Sequence, residues 1–344
     1  MKKITFILFF TFFYGLTVNC QDIHFSQFYS SPLFLNPALT GSSSCLMRAG
    51  LNYRNQWKSV TTPYTTESAY IDGKLMPKAL GDDWLGLGAM FYNDNAGDGN
   101  LKSIRGMAFA SYNKNLNSKK SLVASVGIGL GMVNKSVNYD KLLFNSQWID
   151  GVGWDNSLPN NEAISDNSIS YFDINAGALV TYSEPKSSKI NFRLGVSLSH
   201  LKRPNETFYG DNSELNKLGT KTIIHGEVSV KVKENLYIRP KFMFSTQKAA
   251  KEIIFGTNIS GKINENVAIY GGLWTRLPRD IIPVVGLEYN KFLVLFSYDV
   301  NYSKLQPASN SMGGLEVSLK KEFLCSYKKS GFSRARRIEC PSFE

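Results

Sequence analysis

Residues 190–199 read INFRLGVSLS, and this stretch decides the fold. Its even positions are apolar: Ile190, Phe192, Leu194, Val196 and Leu198. Its odd positions are polar or small: Asn191, Arg193, Gly195, Ser197 and Ser199. Because successive side chains of a β-strand point to opposite faces, this alternation predicts a strand with one apolar and one polar face.

The same alternation recurs from about residue 46 onward, in segments about ten residues long. We expect fourteen strands, near 46–57, 65–75, 84–93, 101–112, 121–134, 169–183, 189–200, 221–232, 236–246, 252–262, 267–276, 281–290, 292–302 and 312–323. A soluble β-sandwich also alternates, so the periodicity by itself leaves that architecture open.

The connections between these segments distinguish the two architectures. Every second connection is short, as at Asn290-Lys291, whereas the others include the long stretches 135–168 and 201–220. Short turns at one end, long loops at the other and an even number of strands are typical of outer-membrane barrels. The sequence therefore predicts an all-β fold, a transmembrane antiparallel up-and-down β-barrel over residues 46–323.

The first twenty residues have the pattern of a signal peptide. Lys2 and Lys3 precede an apolar stretch from Ile4 to Val18, and Val18 and Cys20 are small enough for a signal peptidase site. We expect residues 1–20 to be removed, with lipidation of Cys20 as the alternative. No later run has the roughly eighteen apolar residues that a spanning helix needs, so this exported chain is expected to cross the cell outer membrane as a barrel.

The chain is basic, but its expected export says more about its partners than its charge does. The formal net charge is +11. An exported protein meets lipopolysaccharide, acidic polymers and partner proteins rather than nucleic acid, so no nucleic-acid function is expected. A solvated basic surface without a specific partner is the plain alternative.

Enzymatic signatures are not evident in the sequence. The histidines are His24, His200 and His225, and none is accompanied by a nucleophile or metal-binding motif. His200 and His225 fall near one end of neighbouring strands, where polar residues of a barrel interior are the usual explanation. We therefore expect no enzyme activity, no cofactor and no metal site.

The segment before the first strand carries the most distinctive motif. Residues 21–41 read QDIHFSQFYSSPLFLNPALTG, and residues 48–57 read RAGLNYRNQW. Together they closely resemble the N-terminal region of the PorP/SprF family, outer-membrane proteins of type IX secretion and gliding motility in Bacteroidetes. Further blocks match at Ser199-His200-Leu201, Arg203-Pro204 and Cys340-Pro341-Ser342-Phe343, although Glu344 departs from the family's ending.

This resemblance implies a non-enzymatic role in secreting cargo proteins such as adhesins, or in keeping them attached at the surface. The implied partners are other type IX secretion components, the cargo, and the lipid and lipopolysaccharide of the outer membrane. The alternative from another class is an outer-membrane porin or hydrophobic-solute transporter, with the N-terminal segment as a plug. The candidate residues for family-specific contacts are Gln27, Tyr29, Asn36, Pro37, Gly41, Tyr53, Arg54, Gln56 and Trp57.

Local chemistry predicts a conformation for several of these residues. Pro37 disfavours a helical Asn36, and Gly41 permits a positive φ, so we expect an extended turn within an N-terminal segment 21–45 on the periplasmic side or in the lumen. Tyr53 and Trp57 share the apolar face of the first strand. Arg54 and Gln56 face inward, either in a polar network that fills the lumen or toward a partner.

The cysteines after the signal peptide are Cys45, Cys325 and Cys340. An odd number in an oxidising compartment indicates one disulfide and one free thiol. We expect Cys325–Cys340, which would close a basic loop in a periplasmic tail over residues 324–344 and offer it to an acidic partner. The competing pair is Cys45–Cys325, because barrel closure brings the first strand beside the last.

Overall fold

A computed structural model describes residues 22–325 of the protein, except 77, 163, 165, 185–188, 211, 212 and 305. The expected signal peptide and most of the expected tail, with Cys340, therefore lie outside the described residues. The strands are β1 Met47–Gln56, β2 Tyr64–Leu75, β3 Trp84–Ala96, β4 Leu101–Asn115, β5 Leu122–Ser136, β6 Trp148–Ile149, β7 Gly153–Trp154, β8 Ser168–Ser183, β9 Ile190–Ser199, β10 Lys221–Lys233, β11 Leu236–Gln247, β12 Ala250–Lys262, β13 Val267–Leu277, β14 Asp280–Tyr289, β15 Phe292–Asn301 and β16 Met312–Phe323.

Fourteen of these strands form one closed antiparallel barrel in which sequence neighbours pair, and β6 and β7 form a small separate hairpin. The barrel closes where β1 pairs with β16, from Met47 opposite Phe323 to Gln56 opposite Gly314. The predicted fold class and strand number are confirmed. None of the described helices is both long enough and apolar enough to cross a membrane.

The two faces of the barrel wall have opposite chemistry. On β9, Leu194 is 52% exposed on the outside, whereas Ser197 is 2% exposed on the inside. Large apolar side chains are exposed in the same way along the other strands, and the buried inner set is mostly polar or charged. This inversion of a soluble protein's pattern is what a lipid-facing wall around a polar interior requires.

The two ends of the barrel also differ. At the lower end lie Met47, Phe323 and short turns such as Asn290-Lys291, whose two residues have φ of 50° and 63°. Positive φ at both positions gives the tight reversal that suits a two-residue hairpin. At the upper end lie the long connections 137–167 and 200–220, with the β6–β7 hairpin in the first of them. The barrel thus has a short-turn lower mouth and a long-loop upper mouth.

Residues 22–46, which we call the lumen segment, fold into the interior of the barrel. The segment contains 3-10 turns at Phe28–Ser30 and Pro37–Leu39 and the short helix α1, Pro32–Leu35. The expectation of an extended turn without helix was wrong: Asn36 and Thr40 are extended, but they flank a 3-10 turn, and α1 precedes Asn36. Short turns suit this position because they satisfy much of the backbone locally, as in Leu35 N–H to Ser31 O and Leu39 N–H to Asn36 O.

The remaining described helical elements lie in connections, away from the lumen segment. They are the helix α2, Gln306–Ser309, and 3-10 turns at Lys78–Leu80, Tyr139–Lys141, Asn145–Gln147 and Glu214–Asn216.

A disulfide joins Cys45 to Cys325 at the lower end of the closing seam. The expected Cys325–Cys340 bond was wrong, because Cys325 forms a single disulfide and its partner is Cys45. The reason is the register of closure: Met47 pairs with Phe323, so each cysteine lies two residues beyond the paired ends. Their Cα atoms are 4.3 Å apart, at the short end of the range that disulfides span.

Candidate functional site

The lumen segment is held by the barrel wall at four levels, and the lowest is at Gly41. Gly41 has φ +64°, and its N–H donates to Asp72 Oδ2 at 2.6 Å. Arg48 Nε is 2.7 Å from the other oxygen of Asp72, and Trp84 Nε1 donates to the Gly41 carbonyl at 3.0 Å. A buried ion pair on β1 and β2 therefore fixes the turn by which the chain leaves the lumen and enters β1.

The second level is at Asn36, whose side chain is fully buried. Its Nδ2 donates to the carbonyls of Ala178 at 3.1 Å and Val196 at 3.2 Å, on β8 and β9, and lies 3.1 Å from His225 Nε2. Its Oδ1 accepts from Ala38 N–H at 2.8 Å and so caps the following turn. One amide side chain thus joins the lumen segment to three strands.

Glycines on the wall make this close approach possible. A β-carbon at Gly177 would overlap the Asn36 side-chain oxygen, and one at Gly127 would overlap the backbone of Pro37. Gly127 lies on β5 and Gly177 on β8. The room that their missing side chains leave is filled by the lumen segment.

The third level is a group of ion pairs around Ser26 and Gln27. The N–H groups of Ser26 and Gln27 donate to the two carboxylate oxygens of Glu316, at 2.7 and 3.0 Å. The Ser26 hydroxyl donates to Asp299 at 2.7 Å. Arg54 Nη2 lies 2.7 Å from Asp299, and its Nη1 lies 3.2 Å from Glu316. We call Arg54, Asp299, Glu316 and the neighbouring Arg276 the clasp.

Arg276 of β13 completes the clasp. Its Nη1 is 2.9 Å from Asp299 and 2.8 Å from Asp280, its Nε is 3.1 Å from Glu252, and its Nη2 donates to the Ser26 hydroxyl at 2.7 Å. Every charged member is less than a tenth exposed, so the charges interact with little screening by water. Such groups are stable in the interior only because each has an opposite partner.

Aromatic packing supports the segment beside the clasp. Tyr29 stacks on Trp274 with ring centroids 4.9 Å apart, and Phe28 meets the same indole edge-on at 5.6 Å. Lys241 Nζ lies 4.6 Å from the centre of the Tyr29 ring. Tyr29 and Phe28 belong to a larger cluster of buried apolar side chains between the lumen segment and the inner wall, which stabilises the segment by removing apolar surface from water.

The fourth level is at Asp22, the first described residue. Its carboxylate is 3.2 Å from His200 Nε2, 3.7 Å from Arg105 and 4.0 Å from Lys221. These three side chains offset the cost of burying the Asp22 carboxylate.

Six of the residues expected from the family motif come together in the lumen: Gln27, Tyr29, Asn36, Pro37, Gly41 and Arg54. Three do not. Tyr53 is 39% exposed on the outer wall, and Gln56 ends β1. Trp57 lies beyond the strand with φ 58° and packs on Tyr64, ring centroids 5.2 Å apart, so it does not share the strand face that we expected.

The partners of these motif residues were missed by the sequence argument. Asp72, Asp299, Glu316 and Arg276 are single charged residues on polar strand faces, and their inward direction was the only signal available. Ser26 meets Glu316 across 290 positions of sequence. Likewise His200 and His225 each contact the lumen segment, at Asp22 and Asn36, rather than forming a pair of their own with a nucleophile.

The geometry defines a class of protein before any comparison is made. Fourteen strands with an apolar outside, a polar inside and unequal ends form a transmembrane β-barrel, the form that bacterial outer-membrane proteins take. Residues 17–320 match the family described as type IX secretion system membrane protein PorP/SprF. The chain belongs to this family and is located in the outer membrane.

Solved structures resemble the barrel in fold alone. The toluene transporter TodX of Pseudomonas putida superimposes with a TM-score of 0.50 and 10% identity, over 84% of this chain and 91% of that one. A FadL homologue of Pseudomonas aeruginosa gives 0.50 and 9%, over 86% and 94%. No curated protein matches the chain in sequence.

Proposed function

We propose that this barrel supports the secretion of cargo proteins such as adhesins, or their attachment at the cell surface, without catalysing a reaction. Its membership of the PorP/SprF family supports a place in type IX secretion. The observation that carries the proposal is the lumen segment, because the motif that distinguishes this chain lies inside the barrel and is fastened there by the clasp. The expected partners are other secretion components, the cargo, and the lipid and lipopolysaccharide around the barrel.

A filled and charged lumen favours protein contacts over solute passage. Arg54, Arg105 and Arg276 project inward and are each at most 2% exposed. A hydrophobic solute on this path would have to displace the lumen segment and lie against charged side chains that it cannot pair, which costs free energy. Contacts with proteins need no such displacement, because the long loops of the upper mouth expose large side chains such as Val152, Tyr209 and Leu215.

The second candidate is a porin or a transporter of hydrophobic solutes. Its support is the likeness in fold to TodX, a toluene transporter. That likeness, at 10% identity, concerns the fold alone. The two candidates differ in whether loss of the protein affects surface proteins or solute entry.

Gene deletion with complementation tests the proposal. We expect the deletion strain to lose surface display of a specific secreted protein, measured by mass spectrometry of proteins shaved from intact cells, with small-solute uptake nearly unchanged. Wild type and the exposed-turn control Glu265→Gln should restore display, while Glu316→Gln in the clasp should restore it poorly at equal barrel abundance. Normal display combined with a defect confined to uptake would support the transporter.

A further inference from the structure

The lumen segment extends over the height of the barrel, from the upper mouth to the lower one. Asp22 lies beside His200, Lys221 and Gln247, which stand at the upper ends of β9, β10 and β11. Cys45 lies at the lower end, where it is bonded to Cys325. Between them the contacts of the clasp, Asn36 and Gly41 lie progressively lower in the barrel. The short helix α1 carries the Phe34 ring back beside Phe25 and Lys221 before the chain continues downward.

The upper mouth is the one that faces the cell exterior. It carries the connections 137–167 and 200–220, whereas the lower mouth carries turns as short as Asn290-Lys291. Outer-membrane barrels place long loops outside and short turns in the periplasm. An even number of strands then puts the beginning of β1 and the end of β16 on the periplasmic side.

We infer that the chain reaches the cell surface at its first described residues, Asp22 and Ile23, and from there passes down through its own barrel to the periplasmic side. The segment 21–45 was expected on the periplasmic side or in the lumen, and its first described residues instead lie at the outer mouth. This assignment follows from the contacts and from the loop asymmetry, and it does not depend on which cargo the protein serves. It makes the start of the family motif part of the surface that a protein outside the membrane meets.

Several contacts at the upper mouth hold the first described residues in this position. Asp22 N–H donates to Gln247 Oε1 at 3.2 Å, and Lys221 Nζ donates to the Ile23 carbonyl at 3.4 Å. Phe25 is 2% exposed and packs edge-on against Phe34 at 5.6 Å. The amino end is therefore held at the outer mouth by ion pairs, backbone hydrogen bonds and apolar packing together.

Epitope insertion tests the inference on intact cells. One tag is placed between Gln21 and Asp22, a second beside Val152 in the β6–β7 hairpin, and a third beside Lys119 in the turn between β4 and β5. We expect antibody to bind the first and second tags on intact cells and the third only after the outer membrane is permeabilised. A first tag that behaves like the third would overturn the inference.

A smaller probe covers the case in which the first tag prevents assembly. Ile23→Cys is made in a Cys340→Ser background, with Val152→Cys and Lys119→Cys as matched controls for the two sides. A membrane-impermeant maleimide should label Cys introduced at positions 23 and 152 on intact cells, and at position 119 only after permeabilisation. Labelling at position 23 that requires permeabilisation refutes the surface location. Surface display of cargo is scored separately, so this result and the proposed function succeed or fail independently.

Discussion

Arg54 and Asp299 lie 2.7 Å apart in the upper lumen, and the hydroxyl of Ser26 contacts both. Their side chains are 2% and 1% exposed. They belong to β1 and β15, which are separated in the barrel by β16. The pair therefore bridges strands that do not hydrogen-bond to each other, and the lumen segment is bound at the bridge.

Replacing Asp299 with alanine should strongly destabilise the barrel, because Arg54 and Arg276 would each lose a buried partner. Removing one member of a buried ion pair costs about 3–5 kcal/mol. The measurement is reversible unfolding in detergent or lipid, with the folded fraction read from the heat-modifiable migration of the protein in gels. Arg203→Ala, in an exposed pair with Glu214, is the control and should leave unfolding unchanged. Equal effects of both variants would contradict the clasp.

Gly177→Ala should loosen the lumen segment, since the added methyl group overlaps the Asn36 side chain. Overpacking of this kind costs about 1–3 kcal/mol. Gly106 is the matched control, because it lies on the outer face of β4 and its added methyl group meets open space. Limited proteolysis should cut the segment faster in Gly177→Ala than in Gly106→Ala or wild type. Identical cleavage rates would show that the wall does not hold Asn36 in this way.

Leu194→Arg should cost about 2–4 kcal/mol, because it places a charge on the lipid-facing wall at mid-strand. Val152→Arg, in the exposed hairpin, should be tolerated. Folding into lipid vesicles over a denaturant series measures both. A tolerated Leu194→Arg would mean that the outer face of β9 is not in contact with lipid.

Non-reducing peptide mapping should yield a linked peptide that contains Cys45 and Cys325. Cys45→Ser should lower stability by about 2–5 kcal/mol, since the bond restricts the unfolded chain over a separation of 280 residues. Cys340→Ser should leave the melting temperature unchanged. A linked peptide joining Cys325 to Cys340 would contradict the Cys45–Cys325 bond and support the pairing expected from the sequence.

The barrel wall was predictable because lipid imposes a local rule on every strand. Leu194 and Ser197 were assigned to the correct faces from alternation alone, and the same rule gave the number of strands. All strand pairs of the barrel are between neighbours in sequence order, except the pair of β1 and β16 that closes it. The inward and outward faces of β9 could be assigned from its own ten residues, without knowing which strands pair with it.

The contents of the lumen were harder to predict, because no short-range rule governs them. Alternation placed Ser197 on the polar face but did not specify its partner, and its hydroxyl donates to the Leu35 carbonyl of the lumen segment at 2.7 Å. Ser197→Arg is therefore expected to disturb the packing of the lumen segment. The clasp shows the same limit, since Ser26 and Glu316 are 290 positions apart and nothing near either residue specifies the other.

The Cys45–Cys325 bond gives the threaded segment a mechanical consequence. A pull on the amino end from outside the cell is transmitted along the backbone, down through the lumen, to the far mouth of the barrel. There the disulfide divides the load between β1 and β16. Both strands are hydrogen-bonded to their neighbours in the closed barrel. A load applied at the surface would have to strip a strand from that ring, and not only extract a plug, before the protein gave way.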